Sequence, residues 1–313
     1  MKFVSFKYQS YESLGIIQDN NVFDIFKLSN NFLPNNMEEY LKDFSENNSY
    51  LSKIIANKKN ISNNALKLDE VTLLSPIKKP NSFRDAYAFR KHVEAGRKSR
   101  GLNMIPEYDK FPVFYFSNHN SIIGGGDVFI QERHLEKLDF EFEIGLLICK
   151  EGRNIKSKDA YKHVAGLMIM NDWSARGLQF EEMKLNLGPA KGKDFATSIG
   201  PCLVTLDELK KFIIESENGF SFDLEMRGYV NGKLISEDNM KNMTWTFSQI
   251  IERVSYGVTL YPGDLIGSGT CSTGCFLELN IVNNTDVWLK EGDVVRLDIE
   301  HLGSLENKII IVK

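Results

Sequence analysis

Alternation of apolar and polar residues dominates the chain after residue 75 and predicts a structure built mainly of β-strands. The stretch "VAGLMIMND" (164–172) is a nearly continuous apolar run, and "GDVVRLDIEHLG" (292–303) alternates apolar with polar residues. The first pattern is typical of a strand covered on both faces, and the second of a half-buried antiparallel strand. In "YVNGKLI", Asn231 and Gly232 form the strongest short signal for a β-hairpin.

Helical patterns are few and lie between the strands. We expect helices over roughly 85–99, 157–163, 206–213 and 244–253, and a further one near "NNMEEYLKDF". The fold class is therefore mainly β or α+β. Residues 1–72 mix short β-like and helix-like pieces and are predicted to form a small N-terminal α+β domain. "LLSPIKKPNSF", with its two prolines, is predicted to lead into a main domain over residues 73–313.

The composition is that of an ordinary globular chain. It has 313 residues, of which 42% are hydrophobic and 26% charged, and a net charge of −4. A chain with this net charge has no excess of basic residues to attract nucleic acid, so we expect none to bind. No apolar stretch is long enough to span a membrane. The N-terminus lacks the apolar core of a secretory signal, so we expect a cytoplasmic protein. The four cysteines show neither paired zinc-ligand spacing nor a disulfide pattern.

The stretch "LDFEFEIGLLIC" (138–149) places Asp139, Glu141 and Glu143 at alternate positions of an apolar strand. Side chains two apart on a strand share a face, so these carboxylates repel one another unless water or a cation lies between them. A solvated edge strand is the simpler interpretation. The apolar continuation to Cys149 favours a buried strand instead, and with it a cation.

Four other stretches supply candidate groups for the same site. Asp85 and His92 lie seven residues apart, which on a helix is one face, although such a pair is more often surface decoration. Asp172 ends an apolar strand and is costly to bury unless Arg176 pairs with it or a metal binds it. Lys193 lies among glycines, but the residues do not follow the order of a phosphate-binding loop. A single lysine in such a stretch is more often solvated than functional. Glu278 is predicted on an apolar strand, of which it could be merely the polar side.

Together the acidic residues form an all-oxygen donor set. Such donors suit a hard divalent cation, Mg²⁺ first and Mn²⁺ or Ca²⁺ as alternatives. Four carboxylates around one such ion leave a net charge of −2, which Lys193 and Arg176 would offset. The four candidate ligands are Asp85, Glu141, Glu143 and Asp172.

Four stretches follow one another along the chain: "LDFEFEIG", "MNDWSAR", "GPAKGKDFATSIGP" and "GDLIGSGT". In their order and spacing the chain resembles the fumarylacetoacetate hydrolase family over roughly residues 75 to 300. The resemblance implies a mixed β-sandwich roll, a homodimer, and the four carboxylates as metal ligands. It also implies His92 as catalytic base with Glu278 as its acidic partner, and substrate or oxyanion positions for other residues. These are Arg176, Gln179, Lys193, Thr270 and, more loosely, Tyr115, with Arg97 or Arg100 for a distal carboxylate. Because this chain reads "QFEEMK" after Gln179, the pocket near Met183 is expected to differ from that of fumarylacetoacetase.

The reaction that the resemblance implies is hydrolysis of a C–C bond in a 1,3-diketo acid through a metal-stabilised enolate, with His92 activating water. Three alternatives stay open. The first is decarboxylation of a β-keto acid such as oxaloacetate, which needs no attacking water. The second is isomerase or hydratase activity through the same enolate, and the third is a cation-binding protein without catalysis.

Overall fold

A computed structural model describes residues 1–56, 65–98 and 101–312. In chain order the strands of these ranges are β1 (Lys2–Tyr8), β2 (Tyr11–Gln18), β3 (Asn21–Asp24), β4 (Ala65–Lys67), β5 (Thr72–Leu73), β6 (Phe83–Ala86), β7 (Phe114–Ser117), β8 (Ile122–Ile123), β9 (Gly126–Ile130), β10 (Leu138–Asp139), β11 (Phe142–Ile148), β12 (Gly152–Arg153), β13 (Val164–Asp172), β14 (Ser174–Ala175), β15 (Thr197–Val204), β16 (Ile213–Ser216), β17 (Gly219–Phe222), β18 (Glu225–Val230), β19 (Lys233–Asn239), β20 (Thr259–Leu260), β21 (Leu265–Gly267), β22 (Val294–Ile299) and β23 (Gly303–Ile311). The α-helices are α1 (Ile25–Leu28), α2 (Met37–Lys42), α3 (Phe44–Ala56), α4 (Arg90–Lys98), α5 (Arg176–Met183), α6 (Phe247–Val254) and α7 (Phe276–Asn283).

Two large sheets organise the chain. The larger sheet has the strand order β4-β3-β2-β1-β15-β13-β11-β21-β6-β7, with β5 beside β1 and β8 beside β15. The smaller sheet has the order β19-β18-β22-β23-β9, and the remaining strands form two-stranded pairs. The sheet-dominated α+β fold predicted from the sequence is therefore confirmed. The hairpin predicted at Asn231 and Gly232 joins β18 to β19, and both turn residues have positive φ, as an Asn-Gly turn requires.

The central strand β11 is buried on both faces because each face packs into a different core. Ile144 and Leu146 point to one side and join Leu297 and Leu305 of the smaller sheet in one apolar cluster. Leu147 points to the other side and joins a second cluster with residues of α1, α2 and α3. Alternation of side chains along a strand explains why the sequence is apolar at consecutive positions here.

The N-terminal strands continue the larger sheet. β1 pairs with β15 in antiparallel register, Lys2 opposite Val204 and Phe3 opposite Leu203. Phe3 packs on Tyr40 of α2 with ring centroids 5.2 Å apart, in the cluster that also contains Leu147. The N-terminal segment thus shares a sheet and a core with the rest, and the division at residue 72 stays a prediction.

Several predicted elements differ from the structure. The helix predicted from residue 85 begins only at Arg90, so Asp85 lies on β6 and does not share a helix face with His92. Residues 157–163 and 210–212 form 3₁₀ turns. Glu278 lies on α7, where a strand was predicted, because the apolar run "CFLELNIV" is too short for its periodicity to separate helix from strand. Among the described residues, no helix has the length and apolar character needed to cross a bilayer.

Candidate functional site

Three carboxylates from neighbouring strands of the larger sheet meet at one point, which we call the acidic cluster: Asp85, Glu143 and Asp172. They lie on β6, β11 and β13, and β21 runs between the first two strands. One oxygen from each carboxylate lies within 4.8 Å of the others, and all three side chains are buried. Sheet pairing therefore brings together residues that are far apart in sequence.

Two glycines leave room for the acidic cluster. A Cβ atom on Gly267, at the end of β21, would lie 2.3 Å from Oδ1 of Asp85. Gly269 has a φ of +78°, which favours glycine, and a Cβ there would meet the backbone of Ala86 at 2.6 Å. The Gly269 amide donates to Asp85 Oδ1 at 3.2 Å and to Glu143 Oε2 at 3.0 Å. The "GDLIGSGT" stretch thus serves as a close backbone support for the carboxylates.

The electrostatics of the acidic cluster favour a bound cation. Burial, followed by the neighbouring Asp172, raises the pKa of Asp85 to about 7. Burial, followed by Asp85, raises the pKa of Glu143 well above its usual value. Crowded buried carboxylates resist ionisation unless positive charge is added, and a divalent ion supplies it. The all-oxygen donor set fits a hard ion such as Mg²⁺ or Mn²⁺.

Glu141 lies beside the acidic cluster but is bonded to two cationic side chains. Arg176 donates to its Oε1 at 2.8 Å, and Lys193 donates to its Oε2. Burial opposes ionisation of Glu141, but the charges of Lys193 and Arg176 outweigh it and lower its pKa. Of the four predicted metal ligands, the structure groups three together and leaves Glu141 paired with these cations. The assignment of all four as ligands stays a prediction.

Asp172 is held by three donors. Lys193 Nζ donates to its Oδ2 at 2.7 Å, the Tyr115 hydroxyl to the same oxygen at 2.7 Å, and Thr197 Oγ1 to its Oδ1 at 3.0 Å. Burial opposes the charged form of Lys193, but Asp172 and Glu141 reverse that effect and raise its pKa. Lys193 is therefore a buried ammonium group, not the solvated lysine that the sequence alone favoured.

A histidine–glutamate pair lies on two helices beside the cluster. His92 of α4 and Glu278 of α7 are both buried, and Nδ1 of the histidine is 3.1 Å from Oε2 of the glutamate. A carboxylate at Nδ1 holds the proton on that nitrogen and leaves the Nε2 lone pair available to accept another. The pair predicted from the sequence is thus brought into contact across 186 residues.

Asp139 fixes the position of α7. It is fully buried, and its carboxylate accepts hydrogen bonds from the backbone amides of Phe276 (2.7 Å) and Leu277 (3.0 Å) at the start of that helix. A carboxylate is favourable at a helix N-terminus, where amide groups lack partners inside the helix. Asp139 also accepts from Arg176 Nε at 2.9 Å. Arg176 therefore pairs with Asp139 and Glu141, and not with Asp172, for which it was one of two predicted partners.

A cavity of about 380 Å³ opens onto these groups. Most of the predicted site residues line it: Asp85, His92, Tyr115, Glu141, Arg176, Gln179, Lys193 and Thr270. Thr270 donates to Glu143 at 3.3 Å, and Gln179 accepts from Arg176 at 2.9 Å. Arg97 lines a neighbouring pocket and not this cavity. Arg100 lies outside the described residues.

Sequence reasoning did not single out Cys275, because the four cysteines show neither zinc-ligand spacing nor a disulfide pattern. It is the N-cap residue of α7, and its Sγ lies 3.8 Å from Nδ1 of His92. Ligand atoms of Cys275, His92 and Glu141 lie within 4.8 Å of one another. The contact spans 183 residues, so no local pattern in "TCSTGC" could have indicated it. Thr197, which fixes Asp172, was missed for the same reason.

Comparison with known proteins finds the same family that the sequence motifs indicate. The family model described as "Fumarylacetoacetate (FAA) hydrolase C-terminal" matches residues 81–310. A fumarylacetoacetate hydrolase domain-containing protein 2 homolog of Dictyostelium discoideum is 28% identical, over 95% of this chain and 92% of its own. The mitochondrial oxaloacetate tautomerase FAHD2B of Bos taurus is 30% identical, over 89% of this chain and 81% of its own.

Solved structures share the fold. A putative HpcE protein of Mycobacterium smegmatis superimposes with a TM-score of 0.77 at 22% identity, with both chains fully covered. A maleylpyruvate hydrolase of Sphingobium, solved in complex with manganese(II) ion and pyruvate, gives 0.73 at 20% identity, again with full coverage. At these identities the likeness establishes the architecture.

Proposed function

Because the chain belongs to the fumarylacetoacetate hydrolase family, a family of enzymes, we propose that it is a divalent-metal-dependent hydrolase of 1,3-diketo acids. The single observation that carries the proposal is that His92, hydrogen-bonded to Glu278, lines one cavity together with Asp85 of the acidic cluster. That arrangement sets a proton acceptor next to a place where negative charge can be stabilised, which is what cleavage of a C–C bond requires.

The acidic cluster and Glu141 are the residues that would hold the ion. When bound, a divalent ion supplies positive charge that polarises a carbonyl and stabilises an enolate. Lys193, kept charged by Asp172 and Glu141, adds a fixed ammonium group at the same place. Gln179 uses its carbonyl oxygen to accept from Arg176, so its amide N–H groups are available to a substrate oxygen.

His92 is the proposed base. Nε2 takes a proton from water, and the resulting hydroxide adds to the acyl carbonyl remote from the 2-oxo acid group. Collapse of this adduct breaks the C–C bond, and the bonding electron pair passes to the 2-oxo acid fragment as an enolate. Return of the proton from His92 to that carbon gives a carboxylic acid and a 2-oxo acid, so atoms and charges balance.

The test is hydrolysis of acetylpyruvate with Mn²⁺ or Mg²⁺ by the intact protein and by His92→Ala. Loss of a general base lowers turnover by about 10²- to 10⁴-fold, with little change in ion binding. His163→Ala is the matched control, because that histidine does not line the cavity and its ring Nδ1 lies 2.9 Å from the Lys150 carbonyl oxygen. Full hydrolytic activity in His92→Ala would contradict the proposal.

A second candidate is keto–enol interconversion of oxaloacetate. It is favoured by the similarity to the Bos taurus relative, which is an oxaloacetate tautomerase by name. The same residues suffice, because His92 can move a proton between carbon and oxygen without activating water. The two candidate functions are separated by measuring two rates in one protein preparation: hydrolysis of acetylpyruvate, and disappearance of the enol form of oxaloacetate. A decarboxylase, in turn, would keep its rate in His92→Ala, since loss of CO₂ needs no attacking water.

A further inference from the structure

The walls of the catalytic cavity are of two chemical kinds. Charged and polar groups surround the acidic cluster, whereas other lining residues are apolar: Val113, Phe114, Phe180, Met183, Pro189 and Leu277. Two of these apolar residues lie on α5, each four positions beyond a polar lining residue. Phe180 follows Arg176 and Met183 follows Gln179, which places each about one turn, or 6 Å, further along the same helix face. The cavity therefore changes from polar to apolar along α5.

The cationic side chains of the lining already have carboxylate partners. Arg176 is bonded to Asp139 and Glu141, and Lys193 to Glu141 and Asp172. Both are almost fully buried in these pairs. Among the described residues that line this cavity, no further lysine or arginine faces the apolar part. Against the described lining of this cavity, a second carboxylate on the substrate would be desolvated without a further cationic partner, at considerable cost.

The apolar surface continues beyond the cavity. Tyr87 and Val113 line both the cavity and an adjoining pocket of about 260 Å³. The other walls of that pocket include Val93, Ile105 and Phe111. Its two charged residues, Arg97 and Glu107, have opposite signs, and Arg97 Nε donates to the Asn103 carbonyl at 2.5 Å. The adjoining pocket thus extends the space for an uncharged chain.

We propose that the acyl group of the substrate is an uncharged alkyl or aryl chain, bound against Phe180 and Met183 and extending toward the adjoining pocket. This inference rests on the proposed function, since it assigns the part of the diketo acid that is not held at the acidic cluster. It names the substrate class as acylpyruvates with an apolar tail, as opposed to diketo acids that carry a second carboxylate.

Binding of unreactive 2-oxo acids tests the tail preference independently of turnover. The metal-loaded protein is titrated calorimetrically with 2-oxooctanoate and with 2-oxooctanedioate, which differ only in the terminal group. We expect the uncharged ligand to bind about 10- to 100-fold more tightly, because the terminal carboxylate loses its hydration without gaining a partner. Within a series of unbranched 2-oxo acids, affinity should rise by up to about fourfold for each added methylene.

Two variants sharpen the test. Met183→Lys introduces an ammonium group into the apolar part and should narrow or reverse the preference between the two ligands. Arg97→Ala should leave the preference of the unaltered protein in place. The inference is overturned if 2-oxooctanedioate binds the unaltered protein as tightly as 2-oxooctanoate, or more tightly. If Arg97→Ala then no longer binds 2-oxooctanedioate, Arg97 is the partner of the distal carboxylate.

Hydrolysis measured in parallel separates the two proposals. If acetylpyruvate is cleaved while the carboxylated ligand binds better, the tail assignment fails and the proposed function stands. If no acylpyruvate is cleaved while the uncharged ligand still binds better, the reaction class fails and the apolar subsite stands.

Discussion

Replacing Asp139 by asparagine tests whether a buried carboxylate that touches no substrate organises the site. The aspartate accepts four hydrogen bonds: Phe140 N at 3.0 Å and Phe276 N at 2.7 Å on Oδ1, and Leu277 N at 3.0 Å and Arg176 Nε at 2.9 Å on Oδ2. In Asp139→Asn, an amide NH₂ replaces the second oxygen and cannot accept. Two buried donors, one of them charged, are then left without a partner at that position.

The expected cost follows from those two donors. Each unsatisfied buried donor costs about 1 to 3 kcal/mol, more when charged, and breaking one side of a buried ion pair costs about 3 to 5 kcal/mol. Because these estimates describe overlapping losses, we expect the free energy of unfolding to fall by about 3 to 5 kcal/mol. Turnover should fall as well, because the amides of Phe276 and Leu277 begin the helix that carries Glu278.

The assay is urea unfolding followed by far-ultraviolet circular dichroism, with EDTA present so that ion affinity does not contribute. Asp159→Asn is the matched control. That carboxylate is partly exposed and bonds Lys162 at 2.6 Å, so its loss should leave the free energy of unfolding nearly unchanged. If Asp139→Asn loses less than about 1 kcal/mol, the reasoning about the buried carboxylate is refuted.

Three further predictions concern the acidic cluster. Glu143→Gln should raise the melting temperature of the metal-free protein, because it removes a crowded carboxyl group whose ionised form is disfavoured on folding. It should also weaken Mn²⁺ binding at least tenfold by calorimetry, and unchanged affinity would exclude Glu143 as a ligand. The pKa of Asp85 is raised from its unfolded value to about 7, so the folded metal-free protein holds a proton that the unfolded chain releases. The melting temperature of the metal-free protein should therefore fall as pH rises from about 4 to 7. In Asp85→Asn, measured in EDTA, this part of the pH dependence should be absent. Gly267→Ala should reduce ion affinity, because the new methyl group occupies the space of Asp85 Oδ1. Gly232→Ala is the control for backbone strain away from the site: its φ of +76° disfavours alanine, but no atom crowds the new methyl group, so ion affinity should stay unchanged.

Local pattern was sufficient for the strands whose two faces have distinct environments. The alternation in residues 292–303 predicted β22, and the Asn-Gly pair predicted the turn between β18 and β19. Pattern was insufficient where an apolar run was short, as at Glu278, or where a helix could begin at more than one residue, as between Asp85 and Arg90. In both cases packing against distant segments selected the element.

The sequence by itself determined the fold class and the kinds of group available to the site, because these depend on residue type and short-range periodicity. It also supplied the motifs from which the family could be identified. Only the tertiary structure decided which charges meet: that Asp85, Glu143 and Asp172 converge while Glu141 pairs with Arg176 and Lys193, and that Cys275 touches His92. The reason is that Coulomb and hydrogen-bond energies depend on separations of a few ångströms, which strand pairing and helix packing set between residues that are far apart in sequence.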